Sequence, residues 1–121
     1  MNLLNLFKDS DKVMDYRAGS TIFSEGDSGD EMFVVIDGEV EARIGHEVID
    51  VIGPGDIVGE MALIDEKARS ASAVAKTDCR LAAVDEKSFL FMVQQTPNFS
   101  LLLMRILVDR LRRTNARLSH T

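Results

Sequence analysis

One cysteine, two histidines and two prolines are all that the 121 residues hold of those types. Cys79 alone excludes an internal disulfide. With His46 and His120 far apart in sequence, no zinc-ligand set is present either. Such cysteine usage predicts a reducing compartment, the cytoplasm. No apolar run approaches the roughly 20 residues of a membrane-spanning helix. Residues 1–11 carry a short apolar patch but neither a basic leader nor a small-residue cleavage site, so no signal peptide is read there. Nothing sets a nucleophile beside a base, and catalysis is not expected. The spacing of Gly53, Gly55 and Gly59 is wrong for a dinucleotide fingerprint. Cys79 reads as a small hydrophobe packed in a strand, and the two histidines as exposed bystanders.

What is present fits one domain over residues 1–121: 45% of the residues are hydrophobic, enough to bury a core. The net charge of −6 is unevenly spread. Residues 101–121 carry Arg105, Arg110, Arg112, Arg113 and Arg117 against Asp109, a net +4, which leaves −10 for residues 1–100. An acidic body is a poor nonspecific surface for nucleic acid. The basic segment reads as a helix face attracted to its own acidic domain.

All eight glycines lie from Gly19 to Gly59, with short runs rich in valine, isoleucine and phenylalanine between them. Short strands joined by tight turns follow, expected at 12–16, 21–23, 31–36, 39–44, 47–52, 57–58, 70–76 and 79–84. Residues 25–30 read as a loop, Asp37-Gly38 as a two-residue hairpin turn, and 53–56 as a sharp break. Past Val84 the period changes. Asp85 is placed to cap a helix through Phe89, Phe91, Met92 and Val93, and Thr96-Pro97 to restart helix with threonine as N-cap. Met104, Val108, Leu111, Asn115 and Leu118 then step by four and three, the spacing of a coiled-coil seam in which one asparagine can fix register and dimer state. Leu3, Leu4, Leu6 and Phe7 predict one or two helical turns against the same end of the barrel. The fold class is mainly β with flanking helices. It is an eight-stranded jelly-roll barrel over about residues 12–84, with a short N-terminal helix and C-terminal helices over about 86–118 as hinge and lid.

The chemistry concentrates between Gly55 and Ala71. Arg69 offers a planar fork of donors suited to two phosphate oxygens. Glu60 can accept from a ribose hydroxyl, and the turn 60–64, with Met61 and Ala62, can aim backbone amides at an anion. Ser70 adds a hydroxyl and an amide, Ala71 an amide without bulk. A phosphorylated nucleoside suits this set; a plain Glu60–Arg69 salt bridge is the structural alternative. Gly59-Glu60-x-Ala62-Leu63 and Arg69-Ser70-Ala71, preceded by Gly53-x-Gly55-Asp56 and by Ser24-Glu25-Gly26-Asp27, resemble the phosphate-binding cassette of cyclic nucleotide-binding domains. These are the domains of the catabolite activator protein and protein kinase A regulatory subunits. Val58 stands where an aromatic is common in that family, and Ala68 where a proline is frequent.

The resemblance implies a ligand, a cyclic nucleotide, and no cofactor or metal. It implies ligand contacts at Gly59, Glu60, Met61, Ala62, Arg69, Ser70 and Ala71. Arg110-Leu111-x-x-Thr114-Asn115 resembles the segment of the family's long helix that offers hydroxyls to adenine, so Thr114 is the implied base contact, with Asn115 beside it or in the seam. Thr114, together with serine rather than threonine after Arg69, favours cAMP over cGMP. The resulting expectation is a cytoplasmic regulatory module, not an enzyme, in which phosphate capture moves the C-terminal helix. A homodimer through that helix, an unidentified protein effector, and no direct DNA or membrane binding are expected with it. A sensor fragment of a transcription regulator lacking its DNA-binding domain, and a jelly-roll enzyme acting on a sugar phosphate, stand as alternatives.

Overall fold

The computed structural model describes residues 3–119. Its strands are β1 (Val13–Tyr16), β2 (Thr21–Phe23), β3 (Glu31–Asp37), β4 (Val40–Ile44), β5 (Glu47–Ile52), β6 (Ile57–Val58), β7 (Ser72–Ala75) and β8 (Cys79–Asp85). The helices are α1 (Leu4–Phe7), α2 (Glu60–Asp65), α3 (Glu86–Gln95) and α4 (Pro97–Ser119). Two four-stranded antiparallel sheets, ordered β1-β8-β3-β6 and β2-β7-β4-β5, face each other as the expected jelly roll.

Strands β3 and β8 sit inside the first sheet and are buried on both faces, which explains their near-continuous apolar runs. Alternation sorts their side chains. Phe33, Val35, Leu81, Ala83 and Cys79 turn inward to the core between the sheets. Met32, Val34, Ala82 and Val84 turn outward to a second core made with Leu3, Phe7, Phe89, Phe99, Leu102 and Leu103 of the N- and C-terminal segments. Phe99 is the hub of that layer, meeting the rings of Phe7 and Phe89 edge-on. Cys79 is buried and free, packed as a strand hydrophobe. His46 is exposed in the β4–β5 turn, and His120 lies outside the described residues.

Two local expectations need correction, on the Asp37-Gly38 turn and the start of β7, and the N-terminal helix takes the shorter of its two expected lengths. Asp37-Gly38 does not close a hairpin: β3 pairs with β8 and β6, whereas β4 pairs with β5 and β7, so the chain there crosses between sheets. Gly38, at φ +82°, makes that turn. Strand β7 begins at Ser72 rather than at residue 70, which leaves Ser70 and Ala71 in a loop. The N-terminal helix is a single turn, with Leu3 and Phe7 as its buried anchors.

At the far end Asp85 caps α3, its carboxylate accepting from the Ser88 N–H at 2.8 Å, as its position predicts. Thr96 joins the two C-terminal helices: its N–H donates to the Met92 carbonyl and its carbonyl accepts from the Phe99 N–H. Helix α4 is then laid against the barrel by Phe99, Leu102 and Leu103, while Met104, Val108, Leu111 and Leu118 are each at least 49% exposed.

Candidate functional site

Gly59, at φ +82°, turns the chain from β6 into α2, a conformation that costs an L side chain dearly. A Cβ at Gly59 would also lie 2.6 Å from Arg69 Nη1 and 3.0 Å from the Phe23 ring. Gly29 is cramped on the opposite side, where a Cβ would meet Arg69 Nε at 2.5 Å and the Ala62 Cβ at 2.7 Å. The two glycines therefore form the walls of a slot for the guanidinium. Arg69, only 7% exposed, lies in it with Nη1 donating to the Gly59 carbonyl at 2.7 Å and Nη2 to the Glu31 carbonyl at 2.6 Å. Its Cζ stacks 4.1 Å from the centre of the Phe23 ring. Nε is buried with no acceptor among the described residues. The backbone is pinned as well: the Arg69 N–H donates to Asp27 O and its carbonyl accepts from Gly26 N–H, both at 2.8 Å. The loop of residues 25–30 thus holds the arginine in place.

Glu60 opens α2 and is 4% exposed. It does not pair with Arg69, so the simple salt-bridge alternative fails. Its Oε1 instead accepts from Arg110 Nη1 of α4 at 2.5 Å. The second Arg110 nitrogen donates to Asp56 Oδ1 at 2.7 Å and to the Ile57 carbonyl. Burial raises the Glu60 carboxyl above its ordinary pKa, and Arg110 pulls it back down. Burial likewise lowers the pKa of Arg69, opposed by the nearby Asp30, Glu31, Glu60 and Asp27 charges. Both groups are therefore held in an environment that charged side chains leave unless a partner of opposite sign or good hydrogen bonds compensate.

Around these two residues lies a cavity of about 620 Å³. Its floor is the cassette, Gly59, Glu60, Met61, Ala62, Arg69, Ser70 and Ala71, all seven of which line it. Its wall is the inner face of Ala42, Asp50 and Ile52, and its roof is α4 through Leu107, Arg110, Leu111, Arg113, Thr114 and Arg117. Of the expected site residues, Thr114 lines the cavity, whereas Asn115 is exposed and does not. The Ser70 hydroxyl reaches the Met61 sulfur at 3.7 Å, tying the two ends of the cassette. Arg110 is the residue that sequence reasoning assigned no role. The signal available was an arginine four positions before Thr114, hence on the same helix face. Among the described residues no group of three metal-ligating side chains occurs, and no helix is long and apolar enough to cross a membrane.

Comparison with known proteins bears on the same residues. The family model described as "Cyclic nucleotide-binding domain" matches residues 13–96. A CRP-like cAMP-activated global transcriptional regulator of Mycobacterium tuberculosis is 34% identical over 111 residues, covering 88% of this chain and 50% of the regulator. Among solved structures, the catabolite activator protein of Thermus thermophilus superposes with a TM-score of 0.76 at 34% identity, over 88% of this chain and 53% of that one. The EAL enzyme Bd1971, solved in a cAMP-bound and a cGMP-bound form, is similar at 38% and 39% identity with TM-scores of 0.63 and 0.64. Those matches cover 88% and 87% of this chain and 30% and 29% of the enzyme chain. The chain spans about half the length of the curated regulators it matches. With the matched region running from β1 through the end of α3, and the arginine slot inside it, the chain belongs to the cyclic nucleotide-binding domain family.

Proposed function

We propose that the cavity is a cyclic nucleotide site serving regulation rather than catalysis, with cAMP preferred over cGMP. The observation that supports this most is that one cavity brings together Arg69, Ser70 and Ala71 for a phosphate, Glu60 for a ribose and Thr114 for a base. A cyclic phosphate takes up the unpaired Nε of Arg69, whose two other nitrogens already rest on carbonyls. The ribose hydroxyl donates to Glu60, where it meets the hydrogen bond from Arg110. Because Arg110 belongs to α4, capture of the sugar alters a tether of that helix, and the junction at Thr96 lets it shift as a lid. Thr114 offers its hydroxyl to the adenine amino group, and Ser70 in place of threonine leans the same way.

The exposed row of Met104, Val108, Leu111 and Leu118 serves in this reading as a homodimer seam, with Asn115 at its polar position. The effector is a further protein or domain that senses the position of α4. Because the chain spans half of its curated relatives, its role as the sensor part of a transcription regulator is the second reading; residues 1–121 themselves are not assigned DNA contact.

Displacement of a fluorescent cyclic nucleotide tests the proposal. cAMP is expected to compete best, cGMP less well, and linear 5′-AMP, with its extra charge and open phosphate, poorly. Thr114→Val keeps the shape and deletes one hydrogen bond, worth roughly 1–3 kcal/mol when a polar edge is left unpaired. It should narrow the gap between cAMP and cGMP. Equal competition by 5′-AMP and cAMP would contradict a site shaped for the cyclic phosphate.

A further inference from the structure

The oxidisable side chains divide by exposure. Cys79 is buried, and burial pushes its thiol pKa up, which keeps the reactive thiolate scarce. Of the methionines among the described residues, Met32 is fully buried and Met92 is half-buried against the outer core. Met14, Met61 and Met104 are each at least 50% exposed, so an oxidant in solution reaches their sulfurs. Of these three, Met61 alone lines the cavity. Its place follows from α2, whose buried face is Glu60, Ala62 and Leu63 and whose open face is Met61 and Ile64.

The Met61 sulfur also has a donor that matters to the ligand: the Ser70 hydroxyl, at 3.7 Å. A serine hydroxyl has one proton to give and a thioether is a weak acceptor, so this bond yields readily to a phosphate oxygen. Oxidation turns the apolar side chain into a polar sulfoxide. Its oxygen is a strong acceptor that keeps the Ser70 proton and turns the negative end of a dipole toward the place proposed for the phosphate. We infer that Met61 is an oxidative modification site, through which a peroxide lowers the affinity of the cavity for its nucleotide. The inference rests on the cyclic nucleotide reading of that cavity. The sulfur lone pair attacks one oxygen of hydrogen peroxide, the S–O bond forms as the O–O bond breaks, and the departing hydroxide takes the remaining proton to leave as water. Sulfur loses two electrons and the peroxide gains them. A methionine sulfoxide reductase, with a dithiol as reductant, restores the thioether and releases the oxygen as water. Met14 is a built-in comparison: its sulfur accepts from the Tyr16 hydroxyl at 3.8 Å, the same chemistry on a strand that does not line the cavity.

Calorimetric titration of the full chain with cAMP, before and after treatment with hydrogen peroxide, tests it, with the oxidised methionines identified by peptide mass spectrometry. Each protein is compared with itself, so a variant's starting affinity does not enter. Once Met61 carries the oxygen, the wild type should lose about tenfold in affinity, the contribution of one hydrogen bond withheld from the ligand. Reductase with dithiothreitol should restore it. Met61→Leu should show no loss on oxidation, whereas Met14→Leu and Met104→Leu should show the full loss. In Ser70→Ala the sulfoxide has no proton to withhold, and the loss should shrink. Unchanged wild-type affinity with Met61 oxidised, equal losses in wild type and Met61→Leu, or a Met61 that stays reduced where Met14 and Met104 are oxidised would each overturn the inference. Binding of cAMP by the untreated wild type would leave the site reading standing in all three cases, whereas no binding by that protein would overturn both.

Discussion

In the proposed function the pair Glu60–Arg110 ties ligand chemistry to the position of a helix. The carboxylate is buried and ionises less readily than an ordinary one, chiefly because burial penalises its charge. Two opposite pH effects follow. Since the folded-state pKa is raised, the contribution of Glu60 to stability is present below the ordinary carboxyl pKa and is lost as pH rises through the folded value. The proposed ribose contact needs the ionised form, so nucleotide affinity should instead fall on acidification, beginning at a higher pH than for an exposed glutamate. A pH series of affinities for wild type and Glu60→Gln checks this: the variant should bind weakly at neutral pH and show no such acid limb. The same limb in both proteins would remove Glu60 from ribose recognition. That Glu60 and Arg69 line one cavity was legible in the sequence, because only nine positions and a short turn separate them. Arg110 was not, because it meets Glu60 across 50 positions only once Phe99, Leu102 and Leu103 have set the roll of α4 over the barrel. No local pattern states that roll.

At the scale of elements, legibility followed how local each signal is. Alternation and turn residues placed all eight strands close to their observed bounds, and Asp85 marked the start of α3. Asp37-Gly38 misled because turn chemistry encodes a change of direction but not which sheet the next strand joins. Helix α4 divides its two faces between separate tasks. Leu102, Leu103 and Arg110 look to the barrel, Leu111 borders the cavity, and Met104, Val108 and Leu118 leave more apolar surface exposed than a solvent face requires. Sedimentation should therefore reveal a dimer, and replacing Met104 and Val108, neither of which lines the cavity, with glutamate should give a monomer that still binds nucleotide, more weakly. A wild type that stays monomeric at high concentration, with and without ligand, would count against the seam. Asn115 belongs to this outer face rather than to the cavity.

For the molecule as a whole, the acidic body and basic C-terminal segment resolve into specific contacts. Arg110, Arg113 and Arg117, spaced along one helix face, meet Glu60 and Asp56, Asp50, and the Ile49 carbonyl respectively. The charge asymmetry legible in the sequence thus holds α4 over the cavity. Everything in the proposed mechanism depends on an anion entering the slot at Arg69. Removing one member of a desolvated, charge-assisted pair costs about 2–5 kcal/mol. Arg69→Ala also strips the Gly59 and Glu31 carbonyls of their donor, so a lower melting temperature is expected, and binding should be compared at a temperature where both proteins are folded. The most direct measurement is calorimetric titration of the wild type and Arg69→Ala with cAMP. Saturable one-site binding by the wild type and its near-abolition in the folded variant are predicted; cAMP binding equally to both, or to neither, would contradict the assignment of this cavity to a cyclic nucleotide.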